Sequence, residues 1–539
     1  MSFFRPKLFF DMKGYTKKQF VSDIVAGIIV AIIALPLSIA LAIASGVSPE
    51  KGIYTAIVAG FVISAFGGSR VNISGPTAAF ATIVAGIVAE NGIEGLVTAT
   101  IMAGIILILM GVFKLGSLIK YIPYTITTGF TSGIAVTIAI GQIKDFLGLT
   151  VVTEKPIIET LEKAKAAFQN IATVNWQSLL VGSVGLLILI VWPKISKKIP
   201  GSLIAVLVGI LMVQVFKMDV ATIGNSFQLK NSLPAFSFPK INLNTITALF
   251  PSAVTIAVLA AIESLLSCVV SDGMINDKHN SNTELIAQGL GNICSGLFGG
   301  IPATGAIART AANVNNGGRS PVSGMVHALV LLLILVVLMP YAAYIPMPVI
   351  AAVLFMVAYN MSEWRHFADI LKKAPKSDII VLVLTFIFTV VFDLVVAIEI
   401  GMLVTVVLFM KRMAEVTKVR KWEHTKGEDD RLLEIPENTT VLEFNGPMFF
   451  ASSDVFSPDL VDDGIKNLII RMRSVPSLDV SALRSLKSIY SACKKKKVRL
   501  ILSHVNEQPL KVMKKDGFFD EIGADNLLPN IDEALNACK

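Results

Sequence analysis

Apolar segments follow one another through most of the chain, from residue 22 to residue 412. A helix needs about 20 apolar residues to cross a bilayer, and segments near this length recur, some shortened where Gly and Pro interrupt them. They predict about fourteen membrane segments, at 22–45, 52–66, 74–89, 95–113, 124–147, 177–193, 201–217, 249–271, 283–299, 303–316, 321–340, 346–361, 377–393 and 395–412. We therefore expect an α-helical polytopic membrane protein.

The third and tenth segments are short, and each is third in a group of seven. An odd number of spans in the first group inverts the second group relative to it. The pattern predicts a 7+7 inverted repeat, with one copy over 22–217 and the other over 249–412. Two interrupted segments in corresponding positions are typical of the binding site of a transporter.

Beyond residue 412 the apolar runs end. Residues 413–434 are rich in charge and predict a linker, and 435–539 predict a small soluble α/β domain. Its expected strands are 441–444, 467–472 and 498–503, and its expected helices are 481–494 and 508–516.

Lys and Arg concentrate in residues 1–21 and in the loops expected on the same side of the membrane. The long outer loop 148–176 balances its lysines with glutamates. Positive residues favour the cytoplasmic side, so we expect a cytoplasmic N-terminus, and an even number of spans returns the C-terminus there. The expected location is the inner (plasma) membrane of the cell. The net charge of +8 then needs no nucleic acid partner.

The composition, 54% hydrophobic with a mean hydropathy of +0.70, agrees with an integral membrane protein. The four cysteines lack metal-ligand spacing, and the chain contains no phosphate-binding loop, zinc signature or catalytic triad. We expect no enzymatic activity, no cofactor and no metal other than a coupling ion.

The two interrupted segments, 67–79 (GGSRVNISGPTAA) and 299–313 (GGIPATGAIARTAAN), predict helices that begin inside the membrane, with Pro76 and Pro302 at early helical positions. Such a start leaves about four N–H groups without partners and carries partial positive charge, so two facing starts form a cradle for an anion. Arg309, expected about two turns into the second helix, adds a full charge. The alternatives are packing kinks at the prolines and an Arg309 that snorkels or forms a structural ion pair.

Glu263 lies in an apolar segment with Ser267 one turn further on. Because burial disfavours the charged form of a carboxyl group, Glu263 has the character of a membrane proton carrier. With Ser267 and the carbonyl groups of Ala303 and Thr304 it is alternatively a sodium site. A third alternative is a Glu263 that stays protonated or pairs with Arg309.

In the tail, residues 474–486 predict a strand-to-helix turn, with Asp479 or Ser481 at the start of the helix as its cap. Phosphate at a helix N-terminus is electrostatically favoured, so Ser481 is a candidate regulatory phosphorylation site. Capping alone is the alternative interpretation.

Several motifs in one order resemble the sulfate permease (SulP) family of anion transporters, bacterial type, and the tail is similar to the STAS domain of those proteins. These motifs are 23–27 (DIVAG), 35–36 (LP), 52–54 (GIY), 67–70 (GGSR), 74–78 (SGPTA), 263–267 (ESLLS), 288–292 (QGLGN), 309–313 (RTAAN) and 317–319 (GGR).

This resemblance implies a fold like that of uracil permease, with core and gate subdomains, an elevator movement, a homodimer and a STAS domain that binds a regulatory protein. It implies that Glu263 is the coupling-ion acid and that Ser267 contributes to a sodium site, as in bicarbonate-transporting members. It also implies an anion site between the starts of the third and tenth helices, at Leu37, Leu41, Gly75, Pro76, Thr77, Ala78, Ala306, Ala308 and Arg309.

Two departures bear on the substrate. Leu37 stands where eukaryotic sulfate carriers usually have Gln, and sodium–bicarbonate members tend to have Asp in place of Glu263 and to lack Arg309. The segments 360–364 (NMSEW) and 309–313 look most like bacterial members that include a C4-dicarboxylate carrier.

We expect a secondary active anion transporter that symports protons with a small oxyanion or dicarboxylate. The alternatives are a sodium-coupled bicarbonate symporter and an uncoupled anion channel or exchanger. A nucleobase permease on the same scaffold is disfavoured by Arg309, because a neutral base needs hydrogen-bonding side chains more than positive potential.

Overall fold

The computed structural model describes residues 4–10, 12, 14–117, 123–152, 157, 159–196, 199–227, 232–239, 242–392, 394–422 and 435–539. The chain divides into two compact units, Met1–Met402 and Leu403–Lys539.

The first unit is built from helices, as an apolar segment without water must satisfy its backbone groups internally. Its helices are α1 Lys7–Phe10, α2 Lys17–Ala44, α3 Pro49–Phe66, α4 Ala81–Val112, α5 Tyr124–Leu147, α6 Thr160–Gln169, α7 Trp176–Ile195, α8 Gly201–Val215, α9 Ile223–Ser226, α10 Leu243–Ile275, α11 Ser281–Leu297, α12 Ile307–Asn315, α13 Pro321–Ala342, α14 Met347–Ser362, α15 Trp364–Lys373, α16 Lys376–Val391 and α17 Leu394–Val416, the last of which continues into the second unit. Two strands of two residues each, β1 Ser74–Gly75 and β2 Thr304–Gly305, complete it.

Every predicted membrane segment contains helix. Within the described residues, seven helices are both long and apolar enough to cross a membrane. The number of fourteen crossings stays a prediction. The third and fourth predicted segments are joined in α4, where Gly92 has a φ of 67° and breaks the helical path. Glycine adopts this left-handed conformation without the steric cost that a Cβ imposes.

Close packing of small residues holds α4 against α11. A Cβ placed on Gly104 would lie 2.6 Å from the carbonyl oxygen of Gly289, and a Cβ on Gly289 would lie 2.5 Å from that of Gly104. The two backbones therefore touch where both side chains are absent, the arrangement by which membrane helices approach most closely. This contact positions α11, which carries much of the polar network described below.

The second unit contains a five-stranded sheet of order β3-β4-β5-β6-β7, in which β3 pairs antiparallel and the other neighbours pair parallel. Alternate strand residues face opposite sides, so that Leu442 and Ile470 join the larger core and Val441 and Ile469 the smaller one. The elements are β3 Lys418–Lys421, β4 Thr439–Asn445, β5 Asn467–Ser474, α18 Val480–Lys496, β6 Arg499–Ser503, α19 Glu507–Asp516, α20 Phe518–Ile522, β7 Leu527–Leu528 and α21 Ile531–Asn536.

The three strands and two helices expected in the tail are present. The sequence pattern missed β3, β7, α20 and α21, which are all short. Of the predicted linker 413–434, α17 occupies the first residues and β3 the next, and residues 423–434 lie outside the described residues.

Candidate functional site

Two distant parts of the first unit meet as a short antiparallel pair, β1 with β2. After β1 the chain enters a 3₁₀ turn at Ala78–Phe80 that continues as α4, and after β2 the helix α12 begins at Ile307. The N–H of Ala306 also donates to the carbonyl oxygen of Ile73 at 2.9 Å. The pair therefore brings the starts of the predicted third and tenth segments together.

The two prolines stand outside both helices, so their expected early helical positions are wrong. Pro76 lies between β1 and the 3₁₀ turn, and Pro302 precedes β2. Proline lacks a backbone N–H and cannot donate to a β-ladder, so it fits directly outside a short strand, where no ladder hydrogen bond is needed.

Neither helix start is closed by a side chain. The cap residues Thr77 and Ala306 make no side-chain hydrogen bond to the first turn. Thr77 and Ala306 are half-buried, Ala308 is exposed and Ala78 is buried. The first-turn N–H groups, which have no partner inside a helix, therefore remain available to an acceptor from outside the chain.

Arg309 is the third residue of α12, so it lies in the first turn and not two turns in, as expected from the sequence. Its side chain is 3% exposed. Nη2 donates to the carbonyl oxygen of Pro76 at 2.6 Å, while Nη1 is buried and has no hydrogen-bond partner in the described part of the chain. A Cβ on Gly75 would lie 2.5 Å from Nη1, so the glycine makes room for the guanidinium group.

Glu263 on α10 is half-buried and faces the first of these starts. The hydroxyl of Thr77 donates to its Oε2 at 3.0 Å. Among the described residues Glu263 and Arg309 form no ion pair, since Arg309 bonds Pro76 instead. Glu263, the candidate coupling acid, therefore contacts Thr77 at the first helix start of the candidate anion site.

The residues proposed as sodium ligands hold β2 in place. Ser264 and Thr304 share a hydroxyl–hydroxyl bond of 2.7 Å, and Thr304 also donates to the carbonyl oxygen of Ala260 at 3.0 Å. The side chain of Asn292 both donates to the carbonyl oxygen of Ala303 and accepts from its N–H, each at 2.9 Å. These atoms join the strand to α10 and α11.

Ser267 shares a helix face with Glu263, but its hydroxyl is used elsewhere. It donates to Oδ1 of Asn72 at 2.8 Å and lies 3.2 Å from the hydroxyl of Thr310. Thr310 also donates to Oδ1 of Asn72, at 3.0 Å. Ser267 therefore links α10 to α12 and to the segment before β1.

A buried carboxylate that the sequence pattern does not single out organises this region. Glu284 on α11 has no solvent exposure and accepts four hydrogen bonds. Oε2 accepts from two backbone N–H groups and Oε1 from two side-chain amides, the donors being Gly68 (2.8 Å), Ser69 (3.2 Å), Asn72 (2.8 Å) and Gln288 (3.0 Å). The signal was present: Glu284, Gln288 and Asn292 repeat at a spacing of four, which places them on one helix face.

The proposed apolar wall lies on α2, which packs against α12. Leu37 is half-buried and Leu41 is 4% exposed. A partly open Leu37 fits a residue lining a cavity, whereas Leu41 belongs to the packed interior.

In the tail, Asp479 caps α18, with Oδ1 accepting from the N–H of Ala482 at 2.8 Å. Ser481 is the second residue of the helix and is exposed. Capping therefore falls to Asp479, and the Ser481 hydroxyl stays accessible near the helix N-terminus.

A second buried carboxylate ties the N-terminal segment to α13. Asp23 accepts from the Tyr15 hydroxyl at 2.6 Å, from the Ser320 hydroxyl at 2.5 Å and from the N–H of Arg319 at 2.7 Å. Burial, followed by the hydrogen bond to Asp23, raises the pKa of Tyr15 to about 12.

The model of the Sulfate permease family matches residues 20–385 of this chain, and that of the STAS domain matches residues 431–534. The chain belongs to the sulfate permease family. Proteins of this family are membrane transporters of anions and not enzymes, so a multi-pass membrane location and a small anionic substrate follow.

Two curated relatives share nearly the whole chain. It is 41% identical over 530 residues to the Bacillus subtilis (strain 168) protein named "Putative sulfate transporter YvdB", covering 97% of this chain and 98% of that one. It is 30% identical over 539 residues to the bicarbonate transporter BicA of a Picosynechococcus species, covering 95% of this chain and 94% of that one.

Solved structures agree on the fold. The transmembrane domain of a cyanobacterial bicarbonate transporter BicA matches with a TM-score of 0.63 and 29% identity, over 72% of this chain and 98% of that one. The structure of SLC26A9 matches with a TM-score of 0.88 over 98% of this chain and 92% of that one, at 17% identity. A helical membrane domain followed by a STAS domain is therefore the architecture of this family member.

Proposed function

We propose that this chain is a secondary active transporter that symports protons with a small oxyanion or dicarboxylate. The observation that carries this proposal is the β1–β2 pair, which brings two open helix starts together beside the buried guanidinium of Arg309. The anion site would consist of Gly75, Pro76, Thr77, Ala78, Ala306, Ala308 and Arg309, with Leu37 and Leu41 as its apolar wall.

Electrostatics supports an anion at this position. Each helix start contributes roughly half a positive charge, and Arg309 contributes a whole one. A hydrogen bond between an ionised donor and an anion is worth about 1.5–3 kcal/mol, and Nη1 of Arg309 has a donor to offer. A neutral solute at the same place would leave this charge uncompensated.

Coupling would operate through Glu263. When Glu263 is ionised, it accepts a hydrogen bond from Thr77 at the first helix start, and its negative charge repels an approaching anion. When Glu263 is protonated, it carries no charge and this repulsion disappears. Anion and proton would therefore bind together. Because chemistry at the site is binding alone, transport would follow from moving the loaded core past the gate in an elevator step.

We further propose the finer features that the family resemblance implies: a homodimer, an inner-membrane location with both termini in the cytoplasm, and a STAS domain that receives a regulatory partner. The exposed Ser481 near the start of α18 is the proposed phosphorylation site. Deleting residues 435–539 should alter regulation, trafficking or folding, and an altered order of preference among anions would contradict this.

The alternative of sodium-coupled bicarbonate symport is supported by the 30% identity to BicA. It would require Na⁺ near Glu263, Ser267, Ala303 and Thr304. The carbonyl oxygen of Ala303 already accepts from Asn292, whereas proton coupling needs the carboxyl group of Glu263 alone, so proton coupling fits the geometry better.

The test is uptake into proteoliposomes of labelled sulfate, bicarbonate, fumarate, succinate and chloride, each with a proton gradient, a sodium gradient or neither. Uptake of one of these anions driven by protons and lost in Arg309→Ala is the expected result. Lys373→Ala, which removes an exposed cation paired only with Asp369 in the described chain, is the matched control and should transport normally. Sodium-driven bicarbonate uptake would favour the alternative, and planar-bilayer currents far above carrier turnover would favour a channel.

A further inference from the structure

The interior behind β1 contains a group of buried polar atoms, of which the proposed transport cycle uses only Nη1 of Arg309. Within the described residues, both ring nitrogens of His327, Oγ of Ser64, Oε1 of Gln288 and Nη1 of Arg309 have no hydrogen-bond partner. His327 and Gln288 have no solvent exposure, and Ser64 is 6% exposed. Buried polar groups are nearly always satisfied, so a cluster of exceptions needs a physical explanation.

Reciprocal glycines place His327 and Ser64 at the same helix contact. A Cβ on Gly60 of α3 would lie 3.8 Å from Nδ1 of His327, and a Cβ on Gly324 of α13 would overlap Oγ of Ser64. Gly60 and Ser64 share one face of α3, as Gly324 and His327 share one face of α13. Each polar side chain thus sits opposite a glycine.

The same contact reaches the anion site. A Cβ on Gly60 would also lie 3.2 Å from the carbonyl oxygen of Ser74, and the Ser74 hydroxyl accepts from Gln288 at 2.9 Å. The next residue, Gly75, borders Nη1 of Arg309. His327 therefore lies behind β1, and Arg309 lies at the Gly75 end of the same strand.

We propose that His327 is a second proton-accepting group of the transporter, connected to Arg309 through buried water, and that it takes up a proton when an anion occupies the site. This inference rests on the proposed function. Buried water bridges polar groups that have no protein partner, and it needs two to four of them, which this cluster supplies.

The physical reason is charge compensation. Burial disfavours an imidazolium, and a second positive charge beside Arg309 adds repulsion while the site holds no anion. An anion at the two helix starts removes this repulsion and attracts the new charge, which opposes the cost of burial. A proton from bulk water then binds one ring nitrogen of His327 and leaves again when the anion departs. The charge of the His327 imidazole thus rises by one unit when the anion binds, and one proton on His327 accompanies each bound anion.

Other titratable groups on the packed elements are engaged or distant. On α13 the other one is Tyr341, fourteen residues away. On α2, Asp23 bonds Ser320 at the start of α13, and Lys17 and Lys18 are exposed in the first turn. On α3, Glu50 and Lys51 precede Gly60 by ten and nine residues, and the Tyr54 hydroxyl donates to the carbonyl oxygen of Ser232 at 2.7 Å. On α1, Lys7 pairs with Asp277. On α11, Glu284 reaches the cluster only through Gln288, to which it is hydrogen-bonded. Arg309 is therefore the charge that governs His327.

The first experiment uses the full-length wild-type chain in lipid nanodiscs, labelled with ¹⁵N in its five histidines. Ring nitrogen signals are recorded at pH 6.5 without anion and with saturating sulfate or succinate as probes, and the His327 signal is assigned by its loss in His327→Gln or His327→Asn. The expected result is a neutral pattern that becomes that of imidazolium when an anion is added. His279, whose Nδ1 lies 2.7 Å from Asp272, is the internal control and should not respond.

The second experiment counts protons taken up per anion bound, by calorimetry in buffers of different ionisation enthalpy. In the Glu263→Gln background, His327→Gln should lower this number by about one proton at pH 6.5, whereas His279→Gln should leave it unchanged.

A His327 signal that stays neutral with bound anion, or an unchanged proton count, overturns the inference and leaves the proposed function standing. A wild-type chain that binds none of the transport anions overturns both.

Discussion

The buried carboxylate of Glu284 offers the sharpest test of how the candidate site is held together. In Glu284→Gln, one of the two oxygens becomes an NH₂ group, which must face either the N–H groups of Gly68 and Ser69 or the amides of Asn72 and Gln288. Both orientations set donor against donor. The Asn72 amide cannot turn over to compensate, because its Oδ1 already accepts from Ser267 and Thr310.

The Gln288 amide can turn over, because its Oε1 has no partner in the described part of the chain, so at least one hydrogen bond to a charged acceptor is lost. At about 1.5–3 kcal/mol for that bond, the free energy of unfolding should fall by at least this amount. Since Asn72 immediately precedes the residue that binds Ala306, the β1–β2 pair should shift and anion uptake should fall as well.

The assay is reversible unfolding in mixed micelles, followed by tryptophan fluorescence, together with uptake into proteoliposomes. The matched control is Asp369→Asn, which removes the charge of an exposed carboxylate paired with Lys373 and should change the unfolding free energy by less than about 0.5 kcal/mol. A loss of less than about 1 kcal/mol for Glu284→Gln would show that the donors find other partners, and the proposed organising role would be wrong.

Three further predictions concern separate parts of the structure. Gly75→Ala should weaken anion binding about tenfold or more, because the new Cβ would lie 2.5 Å from Nη1 of Arg309; Gly86→Ala, with nothing within 4 Å, should bind as the wild type does in equilibrium dialysis. Glu263→Gln should retain anion binding but lose proton-driven accumulation, and uptake with full pH dependence would refute its coupling role. The wild type should lose stability between pH 10 and about pH 12, where Tyr15 ionises in the unfolded chain before the folded one, and Tyr15→Phe should lack this loss in pH-dependent unfolding curves.

The approach of the two helix starts was predictable from sequence, because Gly and Pro interrupt two apolar segments at corresponding places. What the pattern does not contain is the pairing that joins them. A strand of two residues has no periodicity to detect, so the apolar pattern predicts helix over β1 and β2, with Pro76 and Pro302 at early helical positions. For the same reason the pattern places Arg309 a turn too late in its helix.

The polar network was missed for a different reason. A Glu among apolar residues attracts attention when it stands alone, as Glu263 does, whereas Glu284 lies in a segment with Ser, Asn and Gln that resembles an ordinary polar helix end. Its burial depends on the close approach of the segment before β1 to the start of α11, where a Cβ on Gly68 would lie 2.9 Å from the backbone nitrogen of Glu284, a tertiary contact that local sequence does not express. Its four donors come from two separate segments, which only the folded chain brings together.

These connections also bear on how a bound anion would cross the membrane. The two helix starts are joined to α10 through Ser264 and Ser267, and to α11 through Glu284 and Asn292, by hydrogen bonds buried away from solvent. Opening the site by separating the two helix starts would break several of these hydrogen bonds in every transport cycle. Each broken bond costs about 1–3 kcal/mol for the groups left unsatisfied. Moving the starts, α10 and α11 together as one body breaks none of them. The network therefore favours a mechanism in which the site travels intact and the surrounding helices provide the surface against which it moves.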